Sequence, residues 1–512
     1  MLAFLMSVVC ILLSLLRHPG QFKHPQFWVE DSYLFFYSRN GSLSFLLEPV
    51  AGYLLLPQKL LALGFQFFAI DAQPLLYFIT AILGLVAVVW SICVIPSRLP
   101  YSCLFAFAIL LTPSGGEVYG KFLYLLWIIP LSALFLLFRD PSTKTILTLV
   151  FDVLIVLVAG LSGPLLLVLS PLFLFSYLRD RSLYNLSLLA TVITTSAIQL
   201  CVIGQHRIPE LALSTISHGL IEVFFQTFLG KYLTPTAAVS PILGLMIFSI
   251  LILIVVDLKP ESRFDGLLWL YACLLTAGAA IADKHQLISS LNPINTGARY
   301  FYIPYISLSC FLLLALIRAN RIGQAVSAIA LSLSLFNSLS HFQTNSIDYH
   351  WSDHRKHELA MNCSIRYPIP FHGQEGEAWS LRITTGPLCS DYSFSNWKSL
   401  GDARIQQIAT DEIDVRTVGA AAGVVSTFVV EPSKSFAAFS TELTRTVPTL
   451  LGLSFIDEHR KKISDLSMFA GASELQHLVA LIPVGTKFIY VYVSAQTPTD
   501  SLRIRAPSLI LF

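Results

Sequence analysis

Charge is what this sequence has least of. Asp, Glu, Lys and Arg make up 12% of the 512 residues, whereas hydrophobic residues make up 55%. A soluble domain carries roughly 25% charged residues. With a mean hydropathy of +0.69 and long apolar runs, the composition excludes an ordinary soluble domain and points to a polytopic membrane protein. The net charge of +2 gives no sign of a nucleic-acid partner. Lys and Arg stand singly between apolar runs, as in membrane loops. No internal repeat, heptad run or low-complexity tract occurs. The first apolar stretch, "MLAFLMSVVCILLSLLR", has no Lys or Arg before it and no Ala-x-Ala-like site after it, so it reads as an uncleaved anchor. Its 15 apolar residues (2–16) are few for a span, which needs about 20.

Apolar runs predict eleven spans, near 2–16, 74–95, 101–114, 121–138, 145–159, 164–178, 183–204, 237–256, 265–282, 301–317 and 322–338. In this count the basic connectors "PSRLP", "FRDPSTK", "LRDRS", "DLKPESR" and "RANR" all fall on one side, which the positive-inside rule makes cytoplasmic. Arg17 and Lys23 violate the rule on the other side. The stretch "VAGYLLLPQKLLALGFQFF" (50–68) is left as an interfacial or re-entrant helix, because Pro57, Gln58 and Lys59 interrupt it and counting it would invert every later loop.

After residue 338 the composition turns mixed, with no span-length apolar run. Residues 339–512 are expected to form a separate, mainly β or α+β domain outside the cytoplasm. "GVVSTFVVEP" (423–432) and "KFIYVYVSA" (487–495) read as strands. Six of the eight cysteines sit in or beside apolar runs, where a thiol behaves as a small hydrophobe. The tail holds Cys363 and Cys389, which pair as a disulfide if the tail lies in an oxidising compartment; the alternative is two unrelated thiols. Neither has a partner at zinc-ligand spacing.

The outer loops concentrate the polar residues. The spans hold one notable charge, Asp152, so a proton path through them is not indicated. In "FWVEDSYLFF" (27–36) Glu30 and Asp31 are adjacent acids walled by aromatic residues. Adjacent side chains point apart, so one would face a reaction centre while the other orients it. Partial desolvation raises a carboxyl pKa and improves a general base. The plainer reading is a helix-capping interfacial pair. Glu117 follows two glycines in "PSGGEVYGKF" and reads either as a second site acid or as a helix-start acid. Arg299, in "ARYFYIP", can grip a phosphate in two places or snorkel to headgroups. For Lys121, Lys284 and His285 the plain reading is interface anchoring. Trp351, Trp379 and Trp397 are candidates for sugar stacking, with core packing as the alternative.

The segments "WVEDSYLFF…GSLSFLLEPVAGYLLLPQKLLA", "GGEVYGKFLYLLW", "GLSGPLLLVLSPL" and "ARYFYIP" resemble the GT-C membrane glycosyltransferases, more narrowly the serotype-converting O-antigen glucosyltransferases of bacteria. The likeness runs over roughly 25–320. It implies a GT-C-like membrane domain (1–338), a catalytic first periplasmic loop (17–50) and a C-terminal periplasmic domain (339–512), in a bacterial inner membrane. It implies an inverting hexosyltransferase that moves glucose or a similar hexose from undecaprenyl phosphate to an O-antigen repeat. By position, Glu30 or Asp31 matches the essential first-loop acid and Glu117 the "GEVYG" acid. Arg299, Tyr300, Lys121 and Tyr53 become substrate-binding candidates. Lys121 departs from the family pattern, which has Asn there. Some members use a divalent cation such as Mg or Mn, and no ligand set here commits to one. The competing readings are a flippase for lipid-linked oligosaccharide, an O-antigen polymerase, and a non-enzymatic receptor.

Overall fold

A computed structural model describes residues 1–28, 31–32, 34–35, 38, 43–50, 52–114, 118–203, 219–234, 239–283, 293–294, 297–343, 351, 366–369, 379–382, 397–400, 402–409, 412–417, 422–430, 436–445, 447–470 and 475–511. The chain divides into two compact units, 1–23 with 33–345 and 24–32 with 346–512.

The first unit is helical. Its main helices are α1 (Leu2–Arg17), α2 (Leu56–Phe65), α3 (Gln73–Val94), α4 (Ser102–Leu110), α5 (Leu125–Leu136), α6 (Ile146–Ser162), α7 (Leu165–Arg179), α8 (Leu183–Ile203), α9 (Pro241–Asp257), α10 (Pro260–Asp283), α11 (Ala298–Arg318) and α12 (Arg321–Ser340). A helix lies on each of the eleven segments that the apolar runs predict, and α2 lies on the interrupted stretch. Among the described residues five helices are long and apolar enough to cross a membrane: Ile70–Val94, Leu183–Ile203, Pro260–Ala282, Ala298–Arg318 and Arg321–Ser340. The chain is a multi-pass membrane protein on that ground. Exposed side chains agree: Leu147, Val150, Phe151, Leu154 and Val158 of α6, and Ile242, Met246 and Leu253 of α9, face outward unpaired by polar groups, as lipid contact requires.

The predicted segment 101–114 is the main departure. Only Ser102–Leu110 is helical there, nine residues, or about 13 Å of rise. The ten residues of α2 are also too few to span, and both polar residues that interrupted its pattern point into protein. Gln58 Nε2 donates to the Ser162 carbonyl at 3.4 Å, and Lys59 Nζ donates to the Leu46 and Glu48 carbonyls.

The basic connectors share one face of the unit. Arg98 pairs with Asp265 at 2.7 Å, and Asp140 N donates to the Pro96 carbonyl at 3.0 Å. Lys144 pairs with Asp180 at 2.9 Å, the Arg179 guanidinium lies 3.7 Å from the Phe264 ring centre, and Leu258 bridges Ala319. Five loops, the first and last more than two hundred residues apart, thus touch in a chain, which is what a common side of the membrane demands.

In the second unit the elements described between 366 and 511 are all strands, in keeping with the expected strand-rich domain. A two-stranded ribbon pairs β1 (Arg366–Ile369) with β2 (Trp379–Arg382). Two five-stranded antiparallel sheets follow. One runs in the order β10 (Leu475–Leu481), β7 (Phe436–Arg445), β12 (Thr499–Leu511), β5 (Glu412–Thr417), β4 (Ala403–Ala409); the other runs β3 (Lys398–Leu400), β6 (Ala422–Val429), β11 (Phe488–Ala495), β8 (Thr449–Ile456), β9 (Lys462–Phe469). Alternation along each strand sends one set of side chains inward. Ile489, Val491 and Val493 of β11 and Leu451, Leu453 and Phe455 of β8 share a core with Phe439, Leu443, Leu502 and Ile504 of the other sheet. Pro507 falls inside central strand β12, where it cannot donate to the ladder; the register shifts between Arg505 and Ser508 around it. β6 and β11 coincide with the two runs read as strands.

Candidate functional site

The ends of α5, α7, α8, α10 and α11 that lie opposite the basic loops converge on a cavity of about 180 Å³. Trp127, Leu165, Ile203, Ala280 and Tyr300 each contribute one wall, and Tyr53 closes it from the connector before α2. Two residues named from the sequence, Tyr53 and Tyr300, therefore meet across a single space.

Local chemistry sets each of them. Val50 and Tyr53 exchange backbone hydrogen bonds of 2.9 and 3.0 Å around Gly52, whose φ of +85° suits glycine. The next amide, Leu54 N, donates to Gln199 Oε1 at 3.3 Å, and Gln199 Nε2 donates to the Gly160 carbonyl at 3.0 Å. Gln199 thus ties the Tyr53 turn to α6 and α8. A Cβ on Gly160 would stand 2.2 Å from Thr195 Oγ1, so those helices approach as closely as they do only with glycine there.

Arg299 lies in the first turn of α11, after Gly297 at φ +84°. Its Nη1 donates to the Tyr124 hydroxyl, and its guanidinium lies 5.3 and 5.0 Å from the Tyr124 and Tyr300 ring centres. Trp127 meets Tyr300 edge-on at 5.9 Å, and Tyr119 meets Tyr302 edge-on at 5.5 Å. The segments 118–127 and 298–303 therefore run side by side, and the Arg299 guanidinium lies next to Tyr300 of the cavity wall without lining the cavity itself.

Lys121 belongs to a buried basic cluster that the sequence reading missed. Lys121, Arg17 and His18 are 4%, 2% and 2% exposed. Arg17 Nη2 donates to the Leu110 carbonyl at 3.3 Å, and its guanidinium stacks 3.8 Å from the Tyr119 ring centre and 4.7 Å from that of Phe342. A desolvated cation–π contact is worth about 2 kcal/mol. Burial above all, then the charges of Lys121 and Arg17, holds His18 well below the usual histidine range, so its ring is neutral at neutral pH. Gly120 has φ +66°, and a Cβ there would come within 2.7 Å of Phe78 and 3.3 Å of the His18 ring. The available signal was that Arg17 and His18 are the first polar residues after an apolar run; reading Arg17 as a loop charge hid it.

Asp31 is 4% exposed and is grouped with the β unit, as are Phe27 and Trp28. Phe27 stands edge-on to Trp351 at 5.0 Å, a contact within the second unit. Trp351 is buried and Trp397 packs on the sandwich core, so both serve packing. Glu30, Glu117, Lys284, His285, Cys363 and Cys389 lie outside the described residues. Among the described residues no group of three or more His, Cys, Asp or Glu could hold a metal ion. A second cavity, about 200 Å³, is lined by aliphatic side chains and Tyr232, whose hydroxyl is bonded to Ser309 at 2.8 Å, so it offers no chemistry.

No protein-family profile matches the chain, and no curated protein is significantly similar to it. Among solved structures, the arabinosyltransferase EmbB from Mycobacterium smegmatis is similar over 99% of this chain and 64% of its own, at 12% identity and a TM-score of 0.31. TmCBM61 in complex with β-1,4-galactotriose is similar over 23% of this chain and 91% of its own, at 13% identity and a TM-score of 0.19. The enzymatically active domain of bacteriophage CBA120 tailspike protein 4 is similar over 23% of this chain and 20% of its own, at 15% identity and a TM-score of 0.19. No residue role follows from these likenesses.

Proposed function

We propose that the protein is a GT-C-type membrane glycosyltransferase. It moves a hexose, glucose first among them, from a polyprenyl-phosphate donor to an O-antigen repeat or another surface glycan. On this reading the helical unit spans a bacterial inner membrane, and the cavity ends of its helices and the β unit lie in the periplasm.

The observation that carries the reading is the cavity formed by Tyr53, Trp127 and Tyr300 with Arg299 beside it. A polyprenyl-phosphate sugar needs an apolar and aromatic wall for carrier and sugar, and a planar cation for the phosphate; these are the groups present. The second support is the common face of the five basic loops, which sets the cavity on the opposite side.

The reaction is a single displacement. A first-loop carboxylate, Asp31 or Glu30, takes the proton of an acceptor hydroxyl as its oxygen attacks the anomeric carbon. The bond from that carbon to the phosphate oxygen breaks, and the electron pair leaves with the polyprenyl phosphate. Arg299 stabilises the charge that grows on the departing phosphate, with Lys121 as a second cation. Inversion at the anomeric carbon follows from one displacement. Glu117 is retained as a second acid of the site, and Cys363 with Cys389 as a disulfide of the tail.

The test is transfer itself. Membranes containing the protein are given radiolabelled polyprenyl-phosphate glucose and lipopolysaccharide. Label is expected in the polysaccharide, and its loss is expected in Asp31→Ala or Glu30→Ala membranes that hold the protein at normal level. Movement of the labelled lipid across the bilayer without transfer would make the protein a transporter and end this proposal.

A further inference from the structure

The outer face of the β3-β6-β11-β8-β9 sheet carries one feature that the reaction above does not use. Tyr492, on central strand β11, pairs across β8 with Gly452. A Cβ at 452 would lie 2.0 Å from Tyr492 Cζ, so the phenol ring lies flat across the strand in the space that glycine leaves. Its hydroxyl reaches both oxygens of Asp465 on β9, at 3.3 and 3.4 Å. Ser454 Oγ donates to the same carboxylate at 2.5 Å, and Lys462 stands 3.8 Å away. Burial and the Asp465 charge raise the Tyr492 pKa, which keeps the phenol a donor. A third of the Asp465 side chain remains open to solvent. Tyr490 stands two residues along the strand and pairs with Thr427 on one side and Ser454 on the other.

A cross-strand aromatic over glycine stabilises a sheet. That accounts for the ring and leaves the open carboxylate and the row of hydroxyls at its rim unexplained. Sugars supply the missing complement. A pyranose has a face of C–H groups that packs on an aromatic plane, and a rim of hydroxyls that a carboxylate accepts strongly. A ring and an acid already fixed in place lose little entropy on binding. The acid is balanced by Lys462, so the face suits a neutral chain rather than a polyanion.

We propose that the Tyr490–Tyr492–Asp465 face of the β unit binds a neutral oligosaccharide, the acceptor glycan of the reaction proposed above. This inference rests on that reaction for the identity of the glycan.

The experiment uses the full-length protein in detergent and, as probe, O-polysaccharide released from lipopolysaccharide by mild acid, with binding measured by calorimetry. The wild type is expected to bind. Tyr492→Ala is expected to weaken binding roughly tenfold, Asp465→Asn at least threefold, and Tyr492→Phe, which keeps the ring, less than threefold. The Phe and Asn variants keep the shape of the face and decide the matter should the Ala variant unfold. No binding by the wild type, or unchanged binding by Asp465→Asn, overturns the inference. Sugar transfer without polysaccharide binding would sink this inference alone; binding without transfer would sink the proposed reaction and leave the face standing as a lectin-like site.

Discussion

Arg139, in the connector that follows α5, and Asp152 of α6 form a buried ion pair, with Nη2 2.6 Å from Oδ1 and Nε 2.5 Å from Oδ2. The Tyr184 hydroxyl of α8 donates to the same carboxylate. An acid inside a membrane helix is by default a candidate for an ion path. Here both partners are nearly fully buried and the carboxylate is gripped on both oxygens, so it clasps three helices together. Removing one partner strands the other charge, which costs about 3–5 kcal/mol. Asp152→Ala is therefore expected to lower unfolding stability in detergent by that amount, and Arg139→Met with Asp152→Leu to recover most of it. A stable Asp152→Asn protein without transfer activity would show instead that the acid serves chemistry.

Arg299 is expected to act on the departing phosphate. Removing one preorganised donor to developing charge costs about 10²- to 10³-fold in rate, so Arg299→Ala should lose that much transfer at unchanged protein level. Arg299→Lys keeps the charge and loses the planar fork, and should fall between. Tyr124→Phe, which releases the guanidinium from its hydroxyl partner, should cost less than Arg299→Ala. Initial rates of label transfer in membranes check all three; full activity in Arg299→Ala removes the residue from the mechanism.

How much of this was legible beforehand depends on the physics involved. Helix positions were readable because apolar runs such as 183–204 carry their own signal; α8 ends within one residue of it. The strands Ala422–Val429 and Phe488–Ala495 were readable for the same reason, as β-branched runs bounded by turn residues. Contacts between distant segments were not. Nothing local to Arg17 says that it stacks on Tyr119, a hundred residues on, so it was counted as a loop charge against the positive-inside rule. Its burial takes it out of that count, because a guanidinium satisfied by a carbonyl and two rings no longer reports which side of the membrane it faces, while the exposed Lys23 still breaks the rule. Likewise Tyr300 was named beside Arg299 in one motif, whereas Trp127 and Gln199, which complete and support the same cavity, were passed over as ordinary span residues.

His18 gives stability a pH dependence with a definite sign. Its folded pKa is depressed, by burial first and then by Lys121 and Arg17, while the unfolded value is near 6.5. Below about pH 6.5 the unfolded chain binds a proton that the folded protein refuses, so stability is full above that pH and falls as the pH drops beneath it. The slope is at most about 1.4 kcal/mol per pH unit for one proton. Thermal unfolding between pH 5 and 8 should show this loss in the wild type, and His18→Gln should flatten it. An equal slope in both proteins would assign the effect to other groups.

Gln199 offers the sharpest separation of positioning from chemistry. It touches the Tyr53 turn through Leu54 N and the helix α6 through the Gly160 carbonyl, and it does not line the cavity itself. Gln199→Leu keeps the volume and breaks both hydrogen bonds, leaving two buried backbone groups unmet at about 1–3 kcal/mol each. The Tyr53 turn then loses its anchor to the bundle. If Tyr53 forms part of the donor wall, KM for the lipid-linked sugar should rise several-fold while kcat stays close to the wild type, the pattern of lost uniform binding. Gln199→Glu, which can still accept from Leu54 N but cannot donate to Gly160, should sit between them. A fall in kcat with KM unchanged would place the damage in the reacting centre and remove Tyr53 from the donor wall.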